Sequence, residues 1–160
     1  MTPTADLCDR YGDRVHVAEP LFDDFGGRAT LAGEIETVRV LDDNALVRRM
    51  LEGEGRGRVL VVDGQGSRRC ALIGGRLAAL AAANGWAGVV VNGCVRDVGE
   101  IAAVPVGVKA LAACPRAPAK TGVGERGVPV TFAGITFTPG HRLWGDADGL
   151  VVAATELTLD

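Results

Sequence analysis

The chain is poor in several kinds of residue, and each shortage removes a class of function. Its 160 residues include two histidines and four cysteines, and no two cysteines form a Cys-x-x-Cys pair. A zinc site built from several Cys and His ligands is therefore disfavoured. The net charge of −3 gives no basic surface for duplex nucleic acid. No apolar run approaches the roughly 20 residues that cross a bilayer, and the N-terminus lacks the apolar core of a signal peptide. These features predict a cytoplasmic protein.

The hydrophobic pattern predicts one α/β domain over residues 1–160, because helical and strand-like segments alternate in the middle and strands cluster at the end. Hydrophobic residues make up 48% of the chain, enough for a sizeable core. Thr4 is a candidate cap for the first helix, and Asp42 or Asp43 for the second. Helices are expected at 4–11, 43–52 and 75–84, and strands at 30–41, 59–62, 88–91, 104–112, 128–138 and 149–153. Gly134 indicates a hairpin or a bulge within 128–138, and the sheet is expected to be mixed.

Two short motifs carry the chemistry of this sequence. Gly74 and Gly75 open a predicted helix, whose first N–H groups have no partner inside the helix and favour an anion such as a carboxylate or phosphate. Arg96, Asp97 and Glu100 follow an apolar strand. A guanidinium binds a carboxylate through two parallel hydrogen bonds, and a hard divalent cation needs only one or two protein carboxylates. Arg96 and Asp97 can serve one ligand only if the chain turns there, because neighbours in a strand point to opposite faces.

Each motif has a simpler structural interpretation. The Gly74–Gly75 pair could be only a turn, and the Arg96 motif could be only a salt-bridged helix start. Gly64-Gln65-Gly66 follows a strand but lacks the third glycine of a dinucleotide fingerprint, so a turn is expected.

Other polar residues near these motifs are interpreted as structural. Cys94 is expected to be a buried small hydrophobic residue and His141 a loop residue, although a general base is the alternative for His141. Glu34 and Glu36 are expected to face solvent. Six arginines scattered among acids are likewise interpreted as surface residues: Arg48, Arg49, Arg56, Arg58, Arg68 and Arg69.

Five segments together resemble a known family. They are Val62-Asp63-Gly64, Ala71-Leu72-Ile73-Gly74-Gly75, Asn84-Gly85-Trp86-Ala87-Gly88, Asn92-Gly93-Cys94-Val95-Arg96-Asp97 and Gly145-Asp146-Ala147-Asp148-Gly149. The sequence resembles the family of regulator of ribonuclease activity A (RraA-like), which includes the class II 4-hydroxy-4-methyl-2-oxoglutarate aldolases. The aldolase branch is marked by Gly, twenty residues, Arg-Asp, two residues and an acid. Gly75, Arg96, Asp97 and Glu100 match that spacing.

The resemblance implies a swivelling β/β/α fold, a homotrimer with sites between subunits, and a lyase that requires Mg²⁺ or Mn²⁺. Arg96 would bind the carboxylate of a 2-oxo acid, together with the backbone N–H groups of four residues, Gly74, Gly75, Arg76 and Leu77. Asp97 would ligate the metal, and Glu100 would orient a metal-bound water. Many relatives are expected to have an acid where this chain has Arg76. No Schiff-base lysine is required, and the two lysines, Lys109 and Lys120, lie outside the motif.

The activity implied is cleavage of 4-hydroxy-4-methyl-2-oxoglutarate to two pyruvates, with oxaloacetate decarboxylation as a second reaction. A different class of function is implied by other relatives, which bind ribonuclease E and inhibit it without catalysis. A third label in this family is a methyltransferase of quinone synthesis, which the missing nucleotide fingerprint disfavours.

Overall fold

The computed structural model describes residues 1–160. Four α-helices are present: α1 (Thr4–Tyr11), α2 (Ala45–Glu52), α3 (Gly75–Ala83) and α4 (Val98–Ile101). Twelve strands accompany them: β1 (His16–Val17), β2 (Asp23–Asp24), β3 (Leu31–Arg39), β4 (Val59–Asp63), β5 (Ala71–Ile73), β6 (Gly88–Val95), β7 (Gly107–Ala113), β8 (Glu125–Arg126), β9 (Val130–Phe132), β10 (Ile135–Phe137), β11 (Arg142–Asp146) and β12 (Gly149–Ala153). The α/β class predicted from the sequence is confirmed.

The central sheet is mixed, as expected. Its main order is β1-β12-β11-β3-β4-β6-β7-β2, with β5 added beside β6 and β8 beside β3. The strands from β3 through β4 and β6 to β7 run parallel, whereas β11 and β2 pair antiparallel at the two ends of that block. The parallel strands β4 and β6 are buried along their whole length, which explains their continuous Val and Leu runs.

Alternate residues of β4 face two different layers. Leu60 and Val62 pack in the cluster formed with helices α2 and α3. Val59 and Val61 pack on the other face with the β9–β10 hairpin, whose Phe132 and Phe137 rings stack 4.4 Å apart. The order of helix layer, sheet and β layer agrees with the β/β/α arrangement that the resemblance implied.

Helix α1 covers the β11–β12 end of the sheet. Thr4 was predicted to cap this helix, and that prediction is wrong: the N-cap is Pro3, and the Thr4 side chain donates instead to Asp146 (Oγ1 to Oδ1, 2.7 Å). The backbone N–H of Thr4 donates to the second oxygen of the same carboxylate at 2.9 Å. Burial would raise the pKa of Asp146, but these hydrogen bonds, together with those from the N–H groups of Asp148 and Gly149, outweigh burial and hold the pKa below its usual value. The carboxylate therefore fastens α1 to the sheet.

Element boundaries depart from the sequence predictions at several places in the chain. Strand β6 runs on to Val95, four residues beyond the apolar run that predicted it. The hairpin expected in 128–138 is confirmed, and its turn residues Ala133 and Gly134 both have positive φ. Five short strands were not predicted: β1, β2, β5, β8 and β11. No helix is both long and apolar enough to span a bilayer.

Candidate active site

The two sequence motifs meet because strands β5 and β6 are parallel neighbours. Ile73 pairs with Val95, and the N–H of Arg96 donates to the carbonyl of Ile73 at 2.9 Å. Strand β5 leads directly into Gly74 and helix α3, while β6 leads into Arg96 and helix α4. Parallel strands end at the same edge of a sheet, which is where ligands bind in open α/β folds. The predicted anion-binding helix and the Arg-Asp motif therefore lie side by side.

The turn that the motif requires is present at Asp97. This residue is left-handed (φ 57°, ψ 44°) and forms the N-cap of α4, whose first turn contains Glu100. The alternative of a salt-bridged helix start is wrong, because neither Arg96 nor either carboxylate takes part in an ion pair. Arg96 is half-buried and both carboxylates are exposed. The charged groups of the motif are thus free to bind a ligand.

Backbone contacts hold Asp97 in its unusual conformation. The N–H of Gly75 donates to Asp97 Oδ2 at 3.0 Å, and the carbonyl of Asp97 accepts from the N–H of Ile101 at 2.9 Å. The Gly75 N–H is therefore already engaged, whereas the N–H groups of Arg76 and Leu77 precede the first intrahelical bond and have no partner within α3. Oδ1 of Asp97 remains free of protein hydrogen bonds. One carboxylate oxygen positions the residue and the other has no protein hydrogen-bond partner.

Both glycines of the α3 start allow the two acidic side chains to approach closely. A Cβ at Gly74 would lie 2.8 Å from Asp97 Oδ2, and a Cβ at Gly75 would lie 2.1 Å from Glu100 Oε2. Contacts of this length are not compatible with a side chain in the same arrangement. Glycine at both positions therefore brings two carboxylates against a helix N-terminus.

An open groove of about 790 Å³ passes over this edge. It contains Arg76, Leu77 and the Arg96 motif, and its opposite wall comes from α2 and from the segment before β8. Its charged side chains are Arg48, Arg49, Glu52, Arg76, Arg96, Asp97, Glu100 and Lys120. Five cations against three carboxylates give the groove a positive balance in a chain whose net charge is −3. The groove suits a small anion with more than one negative group.

Several groove residues were not recognised as such from the sequence. Arg48 and Arg49 are exposed, as predicted, but they also lie on the groove wall because α2 packs beside α3. Asn44 also lies there, and its Nδ2 donates to the carbonyl of Leu72 at 3.1 Å, which ties the start of α2 to β5. Lys120 comes from a segment without regular structure. No periodic pattern could have placed it at the groove.

The remaining candidate residues are structural. Cys94 is buried, as predicted, and burial raises the pKa of its thiol. His141 lies outside the groove. Gln65 and its neighbour Gly66 have positive φ and form a turn, which confirms that interpretation of the Gly64–Gly66 segment.

Two charged residues near α3, Glu36 and Arg58, are less exposed than the sequence analysis expected. Glu36 is half-buried and pairs with Arg58 at 3.3 Å, so it does not simply face solvent. The guanidinium of Arg58 also lies over the Trp86 ring, 4.9 Å from its centroid. The pair therefore belongs to the packing between β3, β4 and the end of α3, away from the groove.

Comparison with known proteins gives consistent matches over almost the whole chain. The model of the RraA-like family, described as Aldolase/RraA, matches residues 4–152. A Xanthomonas campestris pv. campestris (strain 8004) protein, provisionally named a 4-hydroxy-4-methyl-2-oxoglutarate aldolase, is 57% identical over 98% of this chain and 94% of its own.

Two solved structures superpose closely. The RNA-processing inhibitor RraA from Thermus thermophilis has a TM-score of 0.96 and 48% identity, covering 99% of this chain and 96% of its own. A protein from Geobacillus kaustophilus HTA426, described as an S-adenosylmethionine:2-dimethylmenaquinone methyltransferase, has a TM-score of 0.96 and 49% identity, covering 98% of this chain and 97% of its own. Although these relatives carry different functional names, the chain itself belongs to the RraA-like family.

Proposed function

We propose that the protein is a divalent-metal-dependent carbon–carbon lyase that cleaves 4-hydroxy-4-methyl-2-oxoglutarate to two pyruvates and decarboxylates oxaloacetate. The observation that carries the proposal is the meeting of Arg96, Asp97 and Glu100 with the start of α3 in one positively charged groove. The aldolase name of the 57% identical relative supports it.

Substrate binding is assigned to Arg96 and α3. The guanidinium of Arg96 is half-buried and free of ion pairs, so it can bind the C1 carboxylate through two hydrogen bonds. The N–H groups of Arg76 and Leu77 add donors at the positive end of the α3 dipole. Together they fix the 2-oxo acid in one orientation, which lowers the entropic part of the barrier.

The acidic pair fits a hard divalent cation. Asp97 offers its free Oδ1 as a direct ligand, and Glu100 stands close enough to the α3 start to hold a coordinated water. Mg²⁺ accepts such a site, because it commonly binds one or two carboxylates and completes its shell with water and substrate oxygens. When bound, the cation would supply Lewis-acid withdrawal of negative charge from the 2-oxo group.

Both reactions lead to the same pyruvate enolate. In retro-aldol cleavage the C4 hydroxyl loses its proton, the C3–C4 bond breaks, and its electron pair moves toward the C2 carbonyl. In oxaloacetate the C3–C4 bond breaks with release of CO₂. Protonation at C3 then gives pyruvate. Arg96 and the α3 N–H groups, bound to the adjacent C1 carboxylate, would add positive potential that favours the negative charge developing on the C2 oxygen.

The first test is pyruvate release from each substrate with Mg²⁺ or Mn²⁺, before and after EDTA. The proposal requires turnover that EDTA abolishes and added metal restores. Absence of turnover with every divalent metal would contradict it. Subunit number, measured by light scattering during size-exclusion chromatography, tests the homotrimer that we propose alongside this function.

A second candidate function is inhibition of a ribonuclease. It is favoured by the 48% identity to the Thermus thermophilis RNA-processing inhibitor. A pull-down with ribonuclease E, combined with an RNA-cleavage assay, tests it independently of catalysis. A methyltransferase activity is not proposed, because the Gly64–Gly66 segment forms a turn rather than the glycine-rich start of a helix.

A Gly75→Ala variant is expected to fold normally but to lose about tenfold in kcat, because the new methyl group forces the Glu100 carboxylate away from the α3 start. Steady-state kinetics with oxaloacetate measure the loss. Gly99→Ala in α4 is the matched control, because a Cβ there meets nothing within 4 Å. In a Glu100→Ala background, Gly75→Ala should cause no further loss, and additive losses would contradict this role for the glycine.

A further inference from the structure

The segment between β7 and β8 has no helix or strand of its own, yet backbone contacts fasten it along the groove. The carbonyl of Arg116 accepts from Ala71 at 2.9 Å. Ala119 donates to the carbonyl of Asp42 at 2.8 Å and accepts from Asn44 at 3.1 Å. The segment therefore runs beside β5 and the start of α2, and it brings Lys120 to the groove wall.

Asp43 binds this segment through the two residues that follow Lys120 in the chain. Its side chain is buried, with the residue only 3% exposed. Oδ2 accepts from both the N–H (2.7 Å) and the hydroxyl of Thr121. Oδ1 accepts from the N–H of Gly122 at 3.2 Å and from that of Ala45 at 3.1 Å. One carboxylate thus joins the start of α2 to the two residues that follow Lys120.

Hydrogen bonding alone compensates the buried charge. Asp43 has no ion-pair partner, so no cation of a neighbouring element neutralises it. Burial would raise its pKa, but the hydrogen bonds from Thr121, Ala45 and Gly122 outweigh burial and hold the pKa below its usual value. A buried carboxylate with four donors fixes the geometry of its partners strongly.

The backbone on either side of Lys120 is held in place, whereas its exposed ammonium group has no charged partner. It forms no ion pair, whereas the other lysine, Lys109, is buried and pairs with Asp24 at 2.9 Å. The neighbours of Lys120 on both sides are anchored, Ala119 through its backbone and Thr121 through Asp43. A cation held at the wall of a groove that already contains Arg96 can meet a second anionic group on the same ligand.

We propose that Asp43 is a positioning residue that holds Lys120 at the groove wall, where Lys120 binds the distal carboxylate of a 2-oxo diacid whose first carboxylate is bound by Arg96. The inference rests on the proposed lyase function and adds a determinant of specificity to it. Diacids such as oxaloacetate use both cations, whereas pyruvate, with one carboxylate, uses only Arg96.

An Asp43→Asn variant distinguishes the hydrogen bonds that Asp43 accepts on Oδ1 from those that it accepts on Oδ2. Asparagine keeps one acceptor oxygen for Ala45 and Gly122, but its amide cannot accept the two hydrogen bonds from Thr121. We expect the KM for oxaloacetate to rise about tenfold with kcat little changed, the size expected for one lost charge-assisted contact. Exchange of the pyruvate methyl protons with deuterium, followed by NMR, should keep its wild-type rate. Amide hydrogen exchange at Thr121 and Gly122 should become faster.

Two further variants test whether Asp43 acts through Lys120. Lys120→Met should raise the KM for oxaloacetate in the same way, and in that background Asp43→Asn should cause no further rise. Thr121→Val should raise the KM for oxaloacetate less than Asp43→Asn does. Thr121→Ser keeps the hydroxyl, so its KM should stay near the wild-type value. If Asp43→Asn fails to fold, the Thr121 pair decides the question.

The failures of the two proposals can be told apart. If wild-type protein neither turns over nor binds oxaloacetate with Mg²⁺ present, measured by calorimetry, the lyase function and this inference both fall. If wild-type protein turns over oxaloacetate but Asp43→Asn leaves its KM unchanged, only the positioning role is overturned. An equal loss in pyruvate proton exchange, or additive effects with Lys120→Met, would also overturn that role.

Discussion

An Asp97→Asn variant is expected to lose metal-dependent turnover by a factor of about 10³ while keeping its fold, since removing the ligand charge withdraws several kcal/mol of electrostatic stabilisation. Asparagine suits this test better than alanine. It tolerates the left-handed backbone at this position, and its side-chain oxygen can still accept the hydrogen bond from Gly75. The variant therefore removes the negative charge with little disturbance of the turn.

Metal binding provides a second measurement for Asp97. Titration calorimetry with Mn²⁺ should show a large loss of affinity in Asp97→Asn. Asp148→Asn, which alters an exposed carboxylate in the β11–β12 turn, should bind and turn over normally. Wild-type Mn²⁺ affinity and wild-type turnover in Asp97→Asn would remove this residue from the metal site.

An Arg96→Met variant is expected to reduce kcat/KM for oxaloacetate by a factor of about 10² or more, which corresponds to the loss of two hydrogen bonds to a carboxylate. Methionine keeps much of the apolar stem of this half-buried side chain, so the loss should come from the charged guanidinium. Arg96→Lys should recover only part of the activity, because an ammonium group cannot form the two parallel bonds of a guanidinium.

The control for Arg96 is an arginine with the same charge outside the groove. Arg56→Met removes an exposed cation that pairs only with Glu54, and it should leave the kinetics unchanged. In the proposed function Arg96 binds the carboxylate that every 2-oxo acid carries, so its loss is expected also to slow proton exchange in pyruvate. Normal kinetics with both substrates would exclude Arg96 from binding.

The sequence was sufficient to predict the parts of the site that are built from consecutive residues. The Arg96, Asp97 and Glu100 spacing required a turn, and the structure has one. The buried strand at Val59–Val62 and the helix after Gly75 were likewise evident from composition and periodicity. Such features depend on interactions between near neighbours in the chain, which leave a readable pattern.

The opposite wall of the groove could not be predicted in this way. Lys120 reaches it because a segment without regular structure is tied to Asp43, which lies 77 positions earlier in the numbering, by hydrogen bonds from Thr121. Arg48 and Arg49 are exposed, and no sequence pattern distinguishes them from exposed arginines that lie outside the groove. Strand β5 has only three residues and is stabilised by its pairing with β6 rather than by its own propensity. These features depend on contacts between distant parts of the chain.

The position of strand β3 in the sheet also affects how the chain folds during its synthesis. Its second half pairs with β4, which follows soon after in sequence, but its first half pairs with β11, near the other end of the chain. Contacts between distant segments form late, because long loops must close first. During synthesis the first half of β3 therefore remains an open strand edge until residues 142–146 have left the ribosome. In that interval the nascent chain is most exposed to mispairing and aggregation.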